Sequence, residues 1–264
     1  MTAKKIAVVL FNRGGPDSLE SVRPFLFNLF NDPAILRMPN PMRWMIAQLI
    51  SRSRAEKSRG IYALVGGRSP LLPSTQAQAD ALQISLSGLA DTVSVHVCMQ
   101  YWHPMAKETV AAIKQEAPDR VVLLPLYPQF STTTAGTSLR AFHREAQTQG
   151  LAAPIDSLCC FPLQAGFLAE TIGNIRQSLS VATKSGKPRL LLSAHGLPER
   201  TIGAGDPYQW QVERTANAIV DAFGDTDLDH VICYQSRVGP VKWIGPFIED
   251  EIRRAGQDKV PVVI

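Results

Sequence analysis

Leu190-Leu191-Leu192-Ser193-Ala194-His195-Gly196-Leu197-Pro198 joins an apolar run to an abrupt break in the chain. A short run with no polar interruption suits a strand buried on both faces, as in a parallel sheet. Gly196 and Pro198 then force a turn, which leaves His195 at the carboxyl end of the strand. In open α/β sheets ligands bind at that edge. An imidazole there titrates near neutrality and can take up a proton or bind a metal. A purely local capping or packing role stays open for it on this evidence.

Runs of the same kind recur at residues 6–11, 93–99, 120–125, 154–158, 189–193, 230–233 and 259–264. Helix-like stretches lie between them at 76–89, 104–116, 137–149, 165–179, 209–223 and 246–255. Strands alternating with amphipathic helices imply parallel βαβ units. The expected fold class is therefore α/β, with two similar Rossmann-like, doubly wound lobes and a site in the cleft between them. Residues 1–150 form the first lobe and 151–264 the second. Residues 259–264 begin a strand and stop without a turn or cap, so the second lobe is expected to be incomplete at its C-terminus.

The 264 residues can bury a large core, and 45% hydrophobic with 19% charged residues is an ordinary globular balance. The apolar run at 6–11 is too short for a signal-peptide core. No segment approaches the ~18 apolar residues that span a bilayer. Cys98, Cys159, Cys160 and Cys233 contain no Cys-x-x-Cys, which predicts reduced thiols packing as small hydrophobes. Together these features predict a cytoplasmic protein, or one peripheral to a membrane.

The net charge of +4 is modest, but the basic residues cluster. Arg37, Arg43, Arg52, Arg54, Lys57, Arg59 and Arg68 face only Glu56 across residues 37–68. Pro41-Met42-Arg43-Trp44-Met45-Ile46-Ala47-Gln48-Leu49-Ile50 interleaves apolar residues with them and reads as an amphipathic helix. One reading is a core helix with a solvated basic face. The others are a lip that meets a membrane surface or docks a large, flat, acidic ligand. No recognition motif for nucleic acid accompanies the patch, so none is expected as a partner.

Several common chemistries are absent. Gly203-Ala204-Gly205 lacks the third glycine of a dinucleotide fingerprint, and Ser185-Gly186-Lys187-Pro188 is not a phosphate loop. Gly136-Thr137-Ser138-Leu139-Arg140 lacks the closing glycine of a nucleophile elbow. What remains is a set of Gly/Pro-rich loops at strand ends. They are Asn12-Arg13-Gly14-Gly15-Pro16, Gly66-Gly67-Arg68-Ser69-Pro70, the loop from Tyr127 to Thr134, the His195 loop, and Gly205-Asp206-Pro207-Tyr208. The last is Tyr234-Gln235-Ser236-Arg237-Val238-Gly239-Pro240 with Trp243-Ile244-Gly245-Pro246.

In this order and spacing, essentially from Ile6 to Ile264, these segments resemble the ferrochelatases. That resemblance implies insertion of Fe²⁺, as substrate, into a porphyrin, with release of two protons. His195 would be the base and metal ligand, a role that suits a neutral imidazole. Asn12, Arg13, Ser69, Gln100, Tyr127, Ser138 and Trp243 would bind the porphyrin. Core packing remains an alternative for Trp243 and a turn role for Ser69, while Asp206 and Tyr208 more simply shape their loop. The family's acidic partner of the histidine is not present in this chain. Gln100 stands where many relatives carry Arg. Arg13 replaces an apolar or aromatic residue, and could pair with a propionate or hinder the metal. Some relatives bind an iron–sulfur cluster through a cysteine where this chain has Thr132, so no [2Fe–2S] cluster is expected. The expected state is a monomer or homodimer. Two other functions stay open: an impaired chelatase that only holds porphyrin or haem, and a cobalt-type chelatase.

Overall fold

The computed structural model describes residues 5–224 and 227–264. They divide into two compact units, Met1–Cys160 and Phe161–Ile264, and each is described by itself.

The first unit is built on β1 (Lys5–Asn12), which pairs in parallel with β2 (Thr92–Met99) on one side and β3 (Arg120–Pro125) on the other. A short β4 (Ile155–Ser157) adds to β3, giving the order β2-β1-β3-β4. The boundary expected after residue 150 falls ahead of β4, whose pairing with β3 carries the first unit on to Cys160. Both faces of β1 are covered. Ala7, Val9 and Phe11 pack with Val110 and Ile113 of α4 (Ala106–Glu116) and with Phe142 and Ala146 of α5 (Ala135–Gln149). Phe11 meets Phe142 edge-on, centroids 5.6 Å apart. Val8 and Leu10 face the opposite way, onto Ala79 of α3 (Leu71–Ser85). This two-sided burial is why the strand reads as a continuous apolar run.

Two helices extend this unit beside the strand ends. The first, α1 (Val22–Phe30), buries Val22, Phe25, Leu26 and Leu29 against Tyr101. The sequence reading did not anticipate it, because Pro24 and the phenylalanines weaken helix propensity and packing alone holds it. The second, α2 (Asn40–Leu64), contains the basic stretch and runs on through Ser51–Ser58. Its buried residues are Ala47, Ser51 and Ala55, spaced four apart. Trp44, Met45 and Leu49 are 51%, 61% and 62% exposed. Trp44 meets Phe27 of α1 edge-on, centroids 6.4 Å apart, while Met45 and Leu49 add an apolar strip to the exposed face that a core helix with only a basic face would lack.

The second unit repeats the pattern at smaller scale. Its central strand β5 (Arg189–His195) pairs in parallel with β6 (His230–Gln235) and with β7 (Val262–Val263), order β6-β5-β7. Its helices are α6 (Ala165–Ala182), the short α7 (Glu199–Gly203), α8 (Tyr208–Asp221) and α9 (Ile248–Asp258). Arg189 ties the start of β5 to Asp229 and Asp258 at 2.9 and 2.8 Å. In both units the chain steps from the central strand to one neighbour and then back to the other side. That reversal is a topological switch point, where a crevice opens at the carboxyl ends of the strands.

The cysteines do not all pack alike. Cys98 and Cys233 are buried, but Cys159 is exposed, with its Sγ 2.8 Å from that of Cys160. The neighbouring thiol, and then partial burial, push Cys159 up to about 11. Its thiolate is therefore scarce at neutral pH, and its reactivity grows until the pH passes that value. Alkylation by iodoacetamide, mapped by peptide mass spectrometry, is expected to accelerate about tenfold per unit between about pH 8 and pH 10. Levelling off near pH 9 would show an ordinary thiol instead.

Candidate active site

At the edge of the first unit, backbone pairing continues past the end of the sheet. The Gln100 N–H donates to the Asn12 carbonyl (2.9 Å) and the Tyr101 N–H to the Arg13 carbonyl (3.1 Å). The Asn12 amide donates to Thr75 Oγ1 at 3.0 Å, and that buried hydroxyl donates to the Leu71 carbonyl at 2.7 Å. Asn12 Oδ1 accepts the Arg13 N–H at 2.8 Å. Gly14 adopts φ +79°, where a side chain would be strained. At Gly15 the constraint is space, since a Cβ would lie 2.5 Å from Ser69 Oγ. Ser69 is held by its N–H to the Pro16 carbonyl (2.7 Å) and accepts the Leu71 N–H at 3.2 Å, a turn arrangement at the start of α3.

Arg13 is exposed and Gln100 half-buried at this edge. Tyr127 lies beside Ser138 and feels the Arg13 charge, while burial pushes its hydroxyl well above the usual phenol range. Ser138 itself is 1% exposed and offers no surface of its own, so it stands behind Tyr127. The structure thus gathers Asn12, Arg13, Ser69, Gln100 and Tyr127 at one strand-end edge. It adds Tyr62 and Tyr101, which also sense Arg13. Their wide separation in sequence gave no signal of that.

In the second unit, His195 is the last residue of β5, exposed, and in register with Gln235. The Gly196 N–H donates to the Gln235 carbonyl at 2.8 Å. A Cβ on Gly196 would meet that oxygen at 3.1 Å and Trp243 Cε3 at 3.3 Å. The indole of Trp243 therefore rests on the glycine next to His195. It is half-buried and fixed by Nε1 donating to the Val238 carbonyl at 3.0 Å. Two backbone bonds clasp its loop to the histidine loop, Ile244 N–H to Leu197 (3.0 Å) and Glu199 N–H to Lys242 (2.9 Å). Core packing does not account for an indole held this way.

Below this edge, the backbone N–H of His195 donates to the Tyr208 hydroxyl, which burial nonetheless pushes up to about 12. Asp206 is buried and accepts the Tyr208 N–H at 3.0 Å at the start of α8. Both residues shape the loop, as the sequence predicts. Ser236, directly after Gln235, takes φ +71°, a costly conformation for a non-glycine residue next to the histidine's partner strand. Among the described residues no three His, Cys, Asp or Glu side chains gather as a preformed metal cage.

A ferrochelatase family model matches residues 5–264. The chain belongs to the ferrochelatase family. It is 49% identical over 263 residues to the ferrochelatase of Caulobacter vibrioides (strain NA1000 / CB15N), covering 99% of this chain and 75% of that protein. The ferrochelatase of Rickettsia bellii (strain OSU 85-389) is 46% identical over 262 residues, covering 99% of this chain and 72% of the relative. That of Wolbachia sp. subsp. Drosophila simulans (strain wRi) is 46% identical over 261 residues, covering 98% and 83%. Family membership agrees with the parallel α/β architecture of both units and with the motifs at their strand ends.

The close approach of Gly15 to Ser69 gives a direct test of how tightly the first edge is built. Gly15→Ala is expected to lower stability by about 1–3 kcal/mol through overpacking. Adding Ser69→Gly removes both clashing atoms and should recover most of that loss. Urea unfolding of the two single variants and the double variant checks the coupling.

Proposed function

We propose that this chain inserts Fe²⁺ into a porphyrin, the activity for which its relatives are named, as a ferrochelatase completing haem. The observation that carries the reading is the pairing of an exposed strand-end imidazole, His195, with an indole face, Trp243, clasped beside it. A flat macrocycle needs an aromatic surface to rest on. Its metallation needs a base for the pyrrole protons.

The reaction exchanges two pyrrole N–H protons for one ferrous ion, so charge balances as two protons leave. A neutral imidazole accepts these protons in turn and hands them to water, and its lone pair also suits borderline Fe²⁺. The His195 ring stands on a strand end anchored by its backbone bond to Tyr208 and its register with Gln235. That anchoring keeps the base in place while the proton moves. Trp243 packs on the macrocycle. Asn12, Arg13, Ser69, Gln100 and Tyr127 contact its edges, with Ser138 supporting Tyr127.

His195→Ala is expected to slow iron insertion by about 100-fold or more, the usual contribution of a general base. Porphyrin binding, followed by the Soret shift, should persist. Undiminished insertion under anaerobic ferrous conditions would remove the role given to His195. Porphyrin binding by the wild-type chain with no turnover would leave it a binding protein.

The lip supports a second element of this reading, contact with a membrane surface. Met45 and Leu49 are more than half exposed on α2, and Arg52 and Lys57 are exposed on the same helix. Among the described residues no helix is long and apolar enough to cross a membrane. An interfacial helix needs only an apolar strip flanked by cations. Met45→Glu with Leu49→Glu is expected to cut co-sedimentation with anionic vesicles at least about tenfold. Unchanged vesicle binding would assign the lip another task.

A further inference from the structure

Cys159 and Cys160 follow closely on β4 and have no part in the chemistry given to His195. Their Sγ atoms lie 2.8 Å apart, with Cys159 exposed and Cys160 half-buried. The chain is fixed on both sides of the pair. Upstream, the Leu158 N–H donates to the Leu123 carbonyl of β3 at 2.9 Å. Downstream, the Gln164 N–H donates to the Phe161 carbonyl at 3.2 Å, and Gln164 Oε1 accepts the Phe167 N–H at 2.7 Å at the start of α6. Two touching thiols are thus presented from an anchored connection.

Adjacent residues hold their Cα atoms about 3.8 Å apart across a trans peptide. A relaxed disulfide spans about 4.4–6.8 Å between Cα atoms. Direct oxidation of this pair would therefore close a strained ring, and one extra atom between the sulfurs relieves it. A linear two-coordinate cation needs its sulfurs on opposite sides, which neighbouring residues cannot supply. A pyramidal trivalent centre takes two sulfurs side by side, as they stand here. Among the described residues no third His, Cys, Asp or Glu joins them to complete a metal-holding group. The pair therefore suits a centre that brings its own third substituent.

We propose that Cys159 and Cys160 form a two-thiol capture site for monosubstituted trivalent arsenicals, R–As=O. Both S–H bonds and the As=O bond break, two As–S bonds form, and one water leaves. Arsenic stays trivalent, so no oxidant or reductant takes part and no net proton is released. That balance separates capture from alkylation. Alkylation needs the thiolate, which is scarce because Cys159 is pushed up to about 11. Condensation draws on the protonated thiol, so the same shift leaves its equilibrium intact at neutral pH. The inference stands independently of the porphyrin reading.

The probe is phenylarsine oxide, added to the reduced, intact chain at neutral pH and followed by intact mass spectrometry. Wild type is expected to bind one equivalent, released by 2,3-dimercaptopropanol but kept against a large excess of 2-mercaptoethanol. Cys159→Ser and Cys160→Ser should each raise the apparent Kd about 100-fold or more, the gain that a second tethered contact supplies. Cys159 is exposed, so its serine variant leaves the core as it is. Cys160→Ala adds no polar atom at the half-buried position and should match the serine variant there. All these variants keep the buried Cys98 and Cys233, and so control for capture elsewhere. Unchanged capture by the single variants would place the arsenical on other thiols and overturn the site. Release from wild type by the monothiol would overturn two-thiol binding, and no capture by wild type would overturn the proposal outright.

Discussion

Each sheet depends on hydrogen bonding to both edges of one central strand. β1 is held between β2 and β3, and β5 between β6 and β7. Parallel pairing makes every strand in a sheet end on the same side, so the loops after the central strand and its neighbours meet. Asn12 and Arg13 meet Gln100 and Tyr101 for this reason, and His195 meets Gln235. The chemistry stands at these edges because the chain direction puts it there, and the buried apolar runs keep the edges from moving.

Rigidity at the two edges comes from different devices. In the first unit it is close approach: glycines allow the β1 loop to lie against Met99, Trp102 and Ser69, and a side-chain bond from Asn12 pins it to α3. In the second it is clasping, with the loop after β6 folded back over the loop after β5 by paired backbone bonds. Either way the polar groups at the edge are oriented before a ligand arrives, which lowers the entropy lost on binding. The strained Ser236 shows that local conformational preference yields to this arrangement.

The seven strands among the described residues were legible in the sequence because strands buried on both faces leave uninterrupted apolar runs. Most helices were legible too, apart from α1 and α7, which packing holds more than propensity does. The position of His195 followed from an apolar run meeting Gly and Pro. The relation of Trp243 to Gly196 did not, because close approach of an indole to a backbone leaves no pattern in a single chain. Nor did the influence of Arg13 on Tyr62, Tyr101 and Tyr127, which lie far apart in the sequence. Which sheet the run at 154–158 joins did not show, because a three-residue strand is too short to declare its partner. The exposed Cys159 departs from a reading based on residue type alone.

α2 buries fully only small residues, Ala47, Ser51 and Ala55, with Ile46, Ile50 and Tyr62 half-buried beside them. Folding therefore places little demand on what stands at 42, 45 and 49, whereas Trp44 meets Phe27 of α1 edge-on, centroids 6.4 Å apart. Mutation could exchange the side chains at 42, 45 and 49 for polar ones without opening a cavity or breaking a hydrogen bond of the first unit. Their apolar character is thus not inherited from the needs of the core. An apolar strip that the fold itself does not require is open to a surface outside the chain.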